Sequence, residues 1–188
     1  MILVVAATER ELAGARDVPT LCCGVGPVEA AVATTAALIR HRPGAVLHIG
    51  IAGARRAARI GPSTLVIGTE ARYCDMTSDW APRRLHPVAA LVAAAVRALP
   101  HARLAPIGTS AHVGGTVGCD VEAMEGFAVL RAAALSGVPA IEVRAISNVI
   151  EESDRSRWHI DDALATLAAA VPRLCDAITS AELDAHDC

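Results

Sequence analysis

The residue types best suited to chemistry in this chain fall in two runs. They are Val121-Glu122-Ala123-Met124-Glu125-Gly126-Phe127 and Glu142-Val143-Arg144-Ala145-Ile146-Ser147-Asn148. Glu125 stands at the opening of a predicted helix, where its carboxylate can accept hydrogens from both hydroxyls of a vicinal diol. Arg144 lies in an otherwise apolar run, and a buried guanidinium must be paired. It can serve a ligand, or bridge Glu142 or Glu11 simply to hold a sheet together. Asn148 offers an amide donor and an acceptor, the complement of a heterocycle edge. Glu9 and Glu11 follow the first apolar run, where a carboxylate can act as a general base or merely favour a helix N-terminus.

Two glycine-rich stretches complete the set. Gly24-Val25-Gly26-Pro27-Val28-Glu29 follows a predicted strand, as a dinucleotide-binding turn would. Glu29 replaces the third glycine, however, and Pro27 removes a backbone donor, so a plain strand-to-helix turn fits better. Gly50-Ile51-Ala52-Gly53 reads as a turn that can accept a ligand at close range or reverse the chain.

These residues need a frame. Apolar β-rich runs at 2–6, 20–23, 45–49, 64–68, 103–107 and 140–146 alternate with alanine-rich helical stretches at 27–41, 87–99, 125–136 and 158–177. That alternation predicts a layered α/β fold, with several strands covered on both faces. Pro172 is expected to kink or end the last helix, and residues 180–188 to fray. The irregular segments 71–86, 108–119 and 147–157 lie where strand-end loops build pockets in such folds. One domain over 1–188 is expected.

Composition excludes whole classes of activity. The chain has 188 residues, 53% hydrophobic and 20% charged, which is not a disordered composition. All 17 basic residues are arginine, so Schiff-base chemistry and a P-loop lysine are ruled out. A net charge of −3 leaves no basic footprint, and no nucleic-acid partner is expected. No apolar run approaches the ~20 residues of a membrane span, so no membrane partner is expected either. Met1 reads as the start of a first strand and not of a secretory signal. The cysteines at 22, 23, 74, 119, 175 and 188 form no C-x-x-C pair and read as reduced, mostly buried thiols of a cytoplasmic protein. The seven histidines are scattered, so no metal is expected.

The ordered set Ala7–Glu11, Gly24-Val25-Gly26, Gly50–Gly53, Glu70-Ala71-Arg72-Tyr73, Met124-Glu125 and Arg144–Asn148 resembles the nucleoside phosphorylase and nucleosidase superfamily. Arg144-Ala145-Ile146-Ser147-Asn148, a polar loop, and then Asp154-Arg155 with Trp158 and Ile160 look most like its futalosine hydrolase family, which serves an alternative menaquinone pathway. The resemblance implies a three-layer αβα sandwich around a mixed sheet, no cofactor, a small-molecule nucleoside substrate and a homo-oligomer, with the loop around Trp80 lining a neighbour's pocket. It implies hydrolysis of an N-glycosidic bond, with Glu11 activating the water and Arg144 positioning it. Met124 would pack on the sugar, Glu125 bind its 2′- and 3′-hydroxyls, and Ser147 orient Asn148. Further substrate contacts would come from Phe127, Ala52 and Gly53, and from His112 or Val113 in the base-stacking loop.

The chain also departs from its relatives. Where methylthioadenosine nucleosidases carry Asp as an acid toward N7, Asn148 cannot donate that proton. Its amide instead suits N7 and a 6-oxo group, which favours hypoxanthine. Ile51 replaces a serine near the water, and the stretch between Glu11 and Leu21 is shorter, as if a hairpin were lost. Arg72, Arg83 or Arg84 would meet the benzoate at the 5′ end of futalosine. A purine nucleoside phosphorylase drawing on Arg10 and Arg55 for phosphate, a methylthioadenosine/S-adenosylhomocysteine-type nucleosidase, and a non-catalytic nucleoside-binding module are the rival readings.

Overall fold

A computed structural model describes residues 1–186, with side chains described through Ala181. The elements run in the order β1 (Ile2–Ala6), β2 (Thr20–Cys22), α1 (Pro27–His41), β3 (Ala45–Ala54), β4 (Leu65–Tyr73), β5 (Arg84–Leu85), α2 (Ala89–Ala98), β6 (Arg103–Thr109), β7 (Val121–Ala123), α3 (Gly126–Leu135), β8 (Ala140–Val149) and α4 (Ile160–His186). One mixed sheet takes all eight strands. Strand period decides its layers: Ile2, Val4 and Ala6 of β1 face a core shared with α2 and α4, whereas Leu3 and Val5 face α1 and α3. The α/β layers and mixed sheet expected from sequence are present.

The sheet also closes on itself. β3 pairs in parallel with β1 and β8, and β8 runs antiparallel to β4. β4 and β6 are parallel, as are β6 and β7, and β7 returns antiparallel to the end of β3. Small and branched side chains fill the ring, among them Ala52, Ala54, Val66, Ile107, Val121 and Ile146.

Three expectations change. Gly50–Gly53 is not a turn but the second half of β3, which continues to Ala54. β4 continues past 68 to Tyr73 and β8 past 146 to Val149, the short β5 forms inside 71–86, which reads as a loop, and β7 forms in the unassigned stretch between 119 and the helix. Pro172 does not end α4, which runs through it. Proline leaves the carbonyl four residues back without a helical donor, here that of Ala168. Gly14 packs against that carbonyl so closely that any Cβ would overlap it. The fraying expected over 180–188 falls mostly where side chains are not described, and 187–188 lie outside the described residues.

Ile160–Ala181 is long and apolar enough to cross a membrane by length and composition. Its apolar stripe (Ala163, Leu167, Ala170, Val171, Leu174 and Ile178) is buried in the core.

Candidate active site

At the C-terminal ends of β1, β3 and β8 lies a pocket of about 290 Å³. Its walls bring together Thr8, Arg10 and Glu11 from the turn after β1, Ile51–Gly53 from β3, Glu122–Glu125 from β7 and its exit, Ser147 and Asn148 from β8, Trp158 from the approach to α4, and Ile160 and Leu164 from its first turns.

Glu11 is buried and firmly oriented. One oxygen accepts from the Thr8 amide at 2.9 Å and hydroxyl at 2.8 Å, and the other accepts from the Ile51 amide at 3.0 Å. Glu9 is exposed on the same turn. Gly50 makes the arrangement possible: it is the cross-strand partner of Arg144, and a Cβ there would overlap the Arg144 guanidinium and stand 2.7 Å from the Glu11 carboxylate.

The Gly-Val-Gly turn serves a carboxylate. Gly26, at φ 95°, caps α1 and donates its amide to Glu125 at 2.9 Å. This left-handed geometry suits glycine. Glu125 therefore reaches the pocket from the start of α3 with one oxygen already fixed.

Asn148 owes its position to an irregularity. Between Ala52 and Gly53 the β3–β8 register shifts, so Ile146 pairs with Ala52 while Asn148 pairs with Gly53. Ser147 is the extra residue, and a bulge re-aims neighbouring side chains. Ser147 and Asn148 both line the pocket as a result, whereas Ile146 packs inside the strand ring. The Ser147 hydroxyl lies 2.8 Å from Asn148 Oδ1, and the Asn148 amide donates to the Val149 carbonyl at 3.1 Å.

Arg144 does not line the pocket. It lies beneath the floor at 1% exposure, donating to Glu142 at 2.7 Å with Glu125 at 3.6 Å. The bridge to Glu142 thus coexists with proximity to Glu125 and Glu11. His48 completes the group: its Nδ1 lies 3.0 Å from the Val5 carbonyl and its Nε2 close to the Arg144 guanidinium. Those partners assign a neutral ring with the proton on Nδ1. Burial first, and then the Arg144 charge, hold its pKa well below the usual imidazole range. Burial raises that of Glu142 despite Arg144 beside it, and Glu142 Oε2 has no hydrogen-bond partner among the described residues.

Other expected residues sort by place. Met124, Ala52, Gly53 and Val113 line the pocket, and His112 does not. Phe127 is in the core, stacked on Tyr73 at 5.3 Å, and its amide donates to Thr109. Arg72, Arg83 and Arg84 border a separate hollow with Cys74 and Val117. Arg72 is held by Glu70 and the Gly118 carbonyl, and Arg83 by Asp79. Arg55 donates to the Cys119 and Thr116 carbonyls and ties down the loop before β7. Glu122 holds the same loop by accepting from Gly114 and Thr116. Burial pushes the Cys23 thiol up to about 12 and those of Cys119 and Cys175 to about 11, which disqualifies them as nucleophiles.

Sequence reasoning missed Thr8, Trp158, Leu164 and the buried His48. Thr8 carried a faint signal, since a hydroxyl three residues before a glutamate can bond back to it.

The family model described as "Phosphorylase superfamily" matches residues 8–120 and 114–181. A futalosine hydrolase of Streptomyces coelicolor is 36% identical, the alignment covering 85% of this chain and 79% of that one. A futalosine hydrolase of Thermus thermophilus is 44% identical over 57 residues, 30% of this chain and 25% of that one. Among solved structures, futalosine hydrolase of Helicobacter pylori superposes with a TM-score of 0.83 at 15% identity, covering 93% of this chain and 97% of that one. The MTA/SAH nucleosidase of Streptococcus pneumoniae, in complex with 8-aminoadenine, gives 0.83 at 18% identity, over 94% and 99%.

Proposed function

Since this chain belongs to the phosphorylase superfamily, and within it to the futalosine hydrolase family, we propose that it hydrolyses the N-glycosidic bond of futalosine to release hypoxanthine for menaquinone biosynthesis. One observation carries this reading. Glu11, Glu125 and Asn148, far apart in sequence, share one small pocket with apolar walls.

In that pocket Asn148 takes the base, one amide hydrogen turned to the 6-oxo edge while the other stays on the Val149 carbonyl. Glu125 Oε2 accepts from the sugar diol. Water attacks C1′ as the C1′–N9 bond breaks; the bonding pair leaves with the base, and the water's proton passes to Glu11. The base gains its proton from solvent, because an amide cannot supply one. Positive charge builds on the sugar in the transition state, and preorganised carboxylates in a water-poor site stabilise it. Arg144 acts from beneath, fixing Glu125 and Glu11 with its charge, and a direct contact with the water is no part of this reading.

Phosphate would be poorly received. Among the described residues the pocket wall holds Glu11, Glu122 and Glu125 against one lining cation, Arg10, while Arg55 is spent on backbone carbonyls. Hypoxanthine release from futalosine by the purified chain, with and without phosphate, tests the proposal. Phosphate-independent release is expected; a strict phosphate requirement would replace the hydrolase with a phosphorylase. We also propose a homo-oligomer, because Trp80 is 99% exposed and such a surface favours cover, and a cytoplasmic location, on the free cysteines of the described residues. A monomeric mass by light scattering would remove the oligomer.

A further inference from the structure

We propose that Arg10 is the specificity-determining residue for an anionic 5′ substituent, an aryl carboxylate, and that Asp161 holds its place when no substrate is bound. The inference rests on the nucleosidase reading above and deepens it. Among the described residues, Glu11, Glu122 and Glu125 line the pocket beside one basic side chain, Arg10, while Arg144 lies beneath the floor already paired with Glu142 and close to Glu125, so an anionic ligand group is best met at Arg10. Asn148 takes the base and Glu125 the diol, which leaves Arg10 to what remains of the ligand, its 5′ end. Ile160 and Leu164, from the start of α4, supply an apolar wall on the same side for an aromatic ring. The arginines expected for this task, Arg72, Arg83 and Arg84, lie around a different hollow.

The present partner of Arg10 suits an exchange. Its Nη2 lies 2.6 Å from Asp161, in the first turn of α4, with the two side chains 66% and 90% exposed. So exposed a bridge contributes little to stability. A substrate carboxylate can take the same donors in a two-point guanidinium pair, against the apolar wall where water competes less. Asp161 is then a competitor for the site, and the two residues of one salt bridge act on substrate binding with opposite signs.

The test compares futalosine with its benzoate methyl ester, which has the same base and sugar without the charge. The wild-type chain should prefer the acid in kcat/KM. Arg10→Gln should reduce that preference about tenfold, chiefly through KM, the scale of a lost charge-assisted hydrogen bond. Asp161→Asn should lower KM for the acid. A merely structural bridge predicts losses of the same sign in both variants, for acid and ester alike, and that result overturns the inference. So does a wild-type chain indifferent to the charge. Absence of turnover on both substrates by the wild-type chain would instead overturn the nucleosidase reading itself.

Discussion

At the scale of single residues, Glu11 and Asn148 carry the sharpest expectations. Glu11→Gln keeps the size and loses the basicity, so turnover should fall by roughly 10²–10⁴, the range for general-base catalysis. Equilibrium dialysis with an unhydrolysed nucleoside analogue should find binding retained. Asn148→Asp changes one donor into an acceptor or an acid. Preference should move from 6-oxo toward 6-amino purines by about 1–3 kcal/mol, the cost of a mismatched buried polar pair. Competition between inosine and methylthioadenosine reads that shift, and an unchanged ratio would place discrimination elsewhere. His48 gives a pH expectation. Its folded pKa is depressed, so its contribution is present above the unfolded value near 6.5 and is lost as pH falls below it. Glu142, with a raised pKa, acts in the opposite sense, its contribution being lost as pH rises. Denaturation midpoints for wild type and His48→Gln, compared between pH 7 and 5, isolate the histidine: the wild type should lose stability more steeply on acidification, by at most about 1.4 kcal/mol per pH unit.

Secondary-structure elements show what could be read in advance and what could not. Continuous apolar runs announced β1, the first half of β3 and the start of β8, and alanine-rich periodicity announced all four helices. The two-glycine pattern at 50–53 misled, because glycine more often marks a turn than a strand. Its cause lies across the sheet, where the Arg144 guanidinium and Glu11 carboxylate occupy the space that a Cβ would need. The bulge at Ser147 was equally hidden, since one unpaired residue leaves no compositional mark. In α4, Pro172 suggests a kink or an end; the helix runs through it, with Gly14 packed against the Ala168 carbonyl. Gly14→Ala should therefore push the turn bearing Arg10 and Glu11 off α4, lowering the melting temperature and reducing activity beyond what stability alone explains. A fully stable and active G14A variant would show that the turn yields without consequence. The family resemblance implies Phe127 as a substrate contact. Helical geometry instead turns it into the core beneath α3, against Tyr73.

For the whole molecule, the resemblance to a known family located the pocket while the residues alone only bounded it. Loop positions narrowed the site to strand ends, but which of several charged residues would meet there depended on long-range pairing. Arg144 is the instructive case: its burial and need for partners were readable, but its place below the floor follows only from the β3–β8 register. The closed circuit β3–β8–β4–β6–β7 has a kinetic meaning as well. A floor whose strands are hydrogen-bonded in a loop cannot splay to let a ligand leave. For the proposed hydrolase, the base would leave past Val113, on a segment clamped by Glu122, and past Trp158, whose indole is tied to the Glu152 carbonyl at 3.0 Å. On the proposed reading, how fast the pocket empties is expected to depend on these two small latches and not on the sheet beneath it.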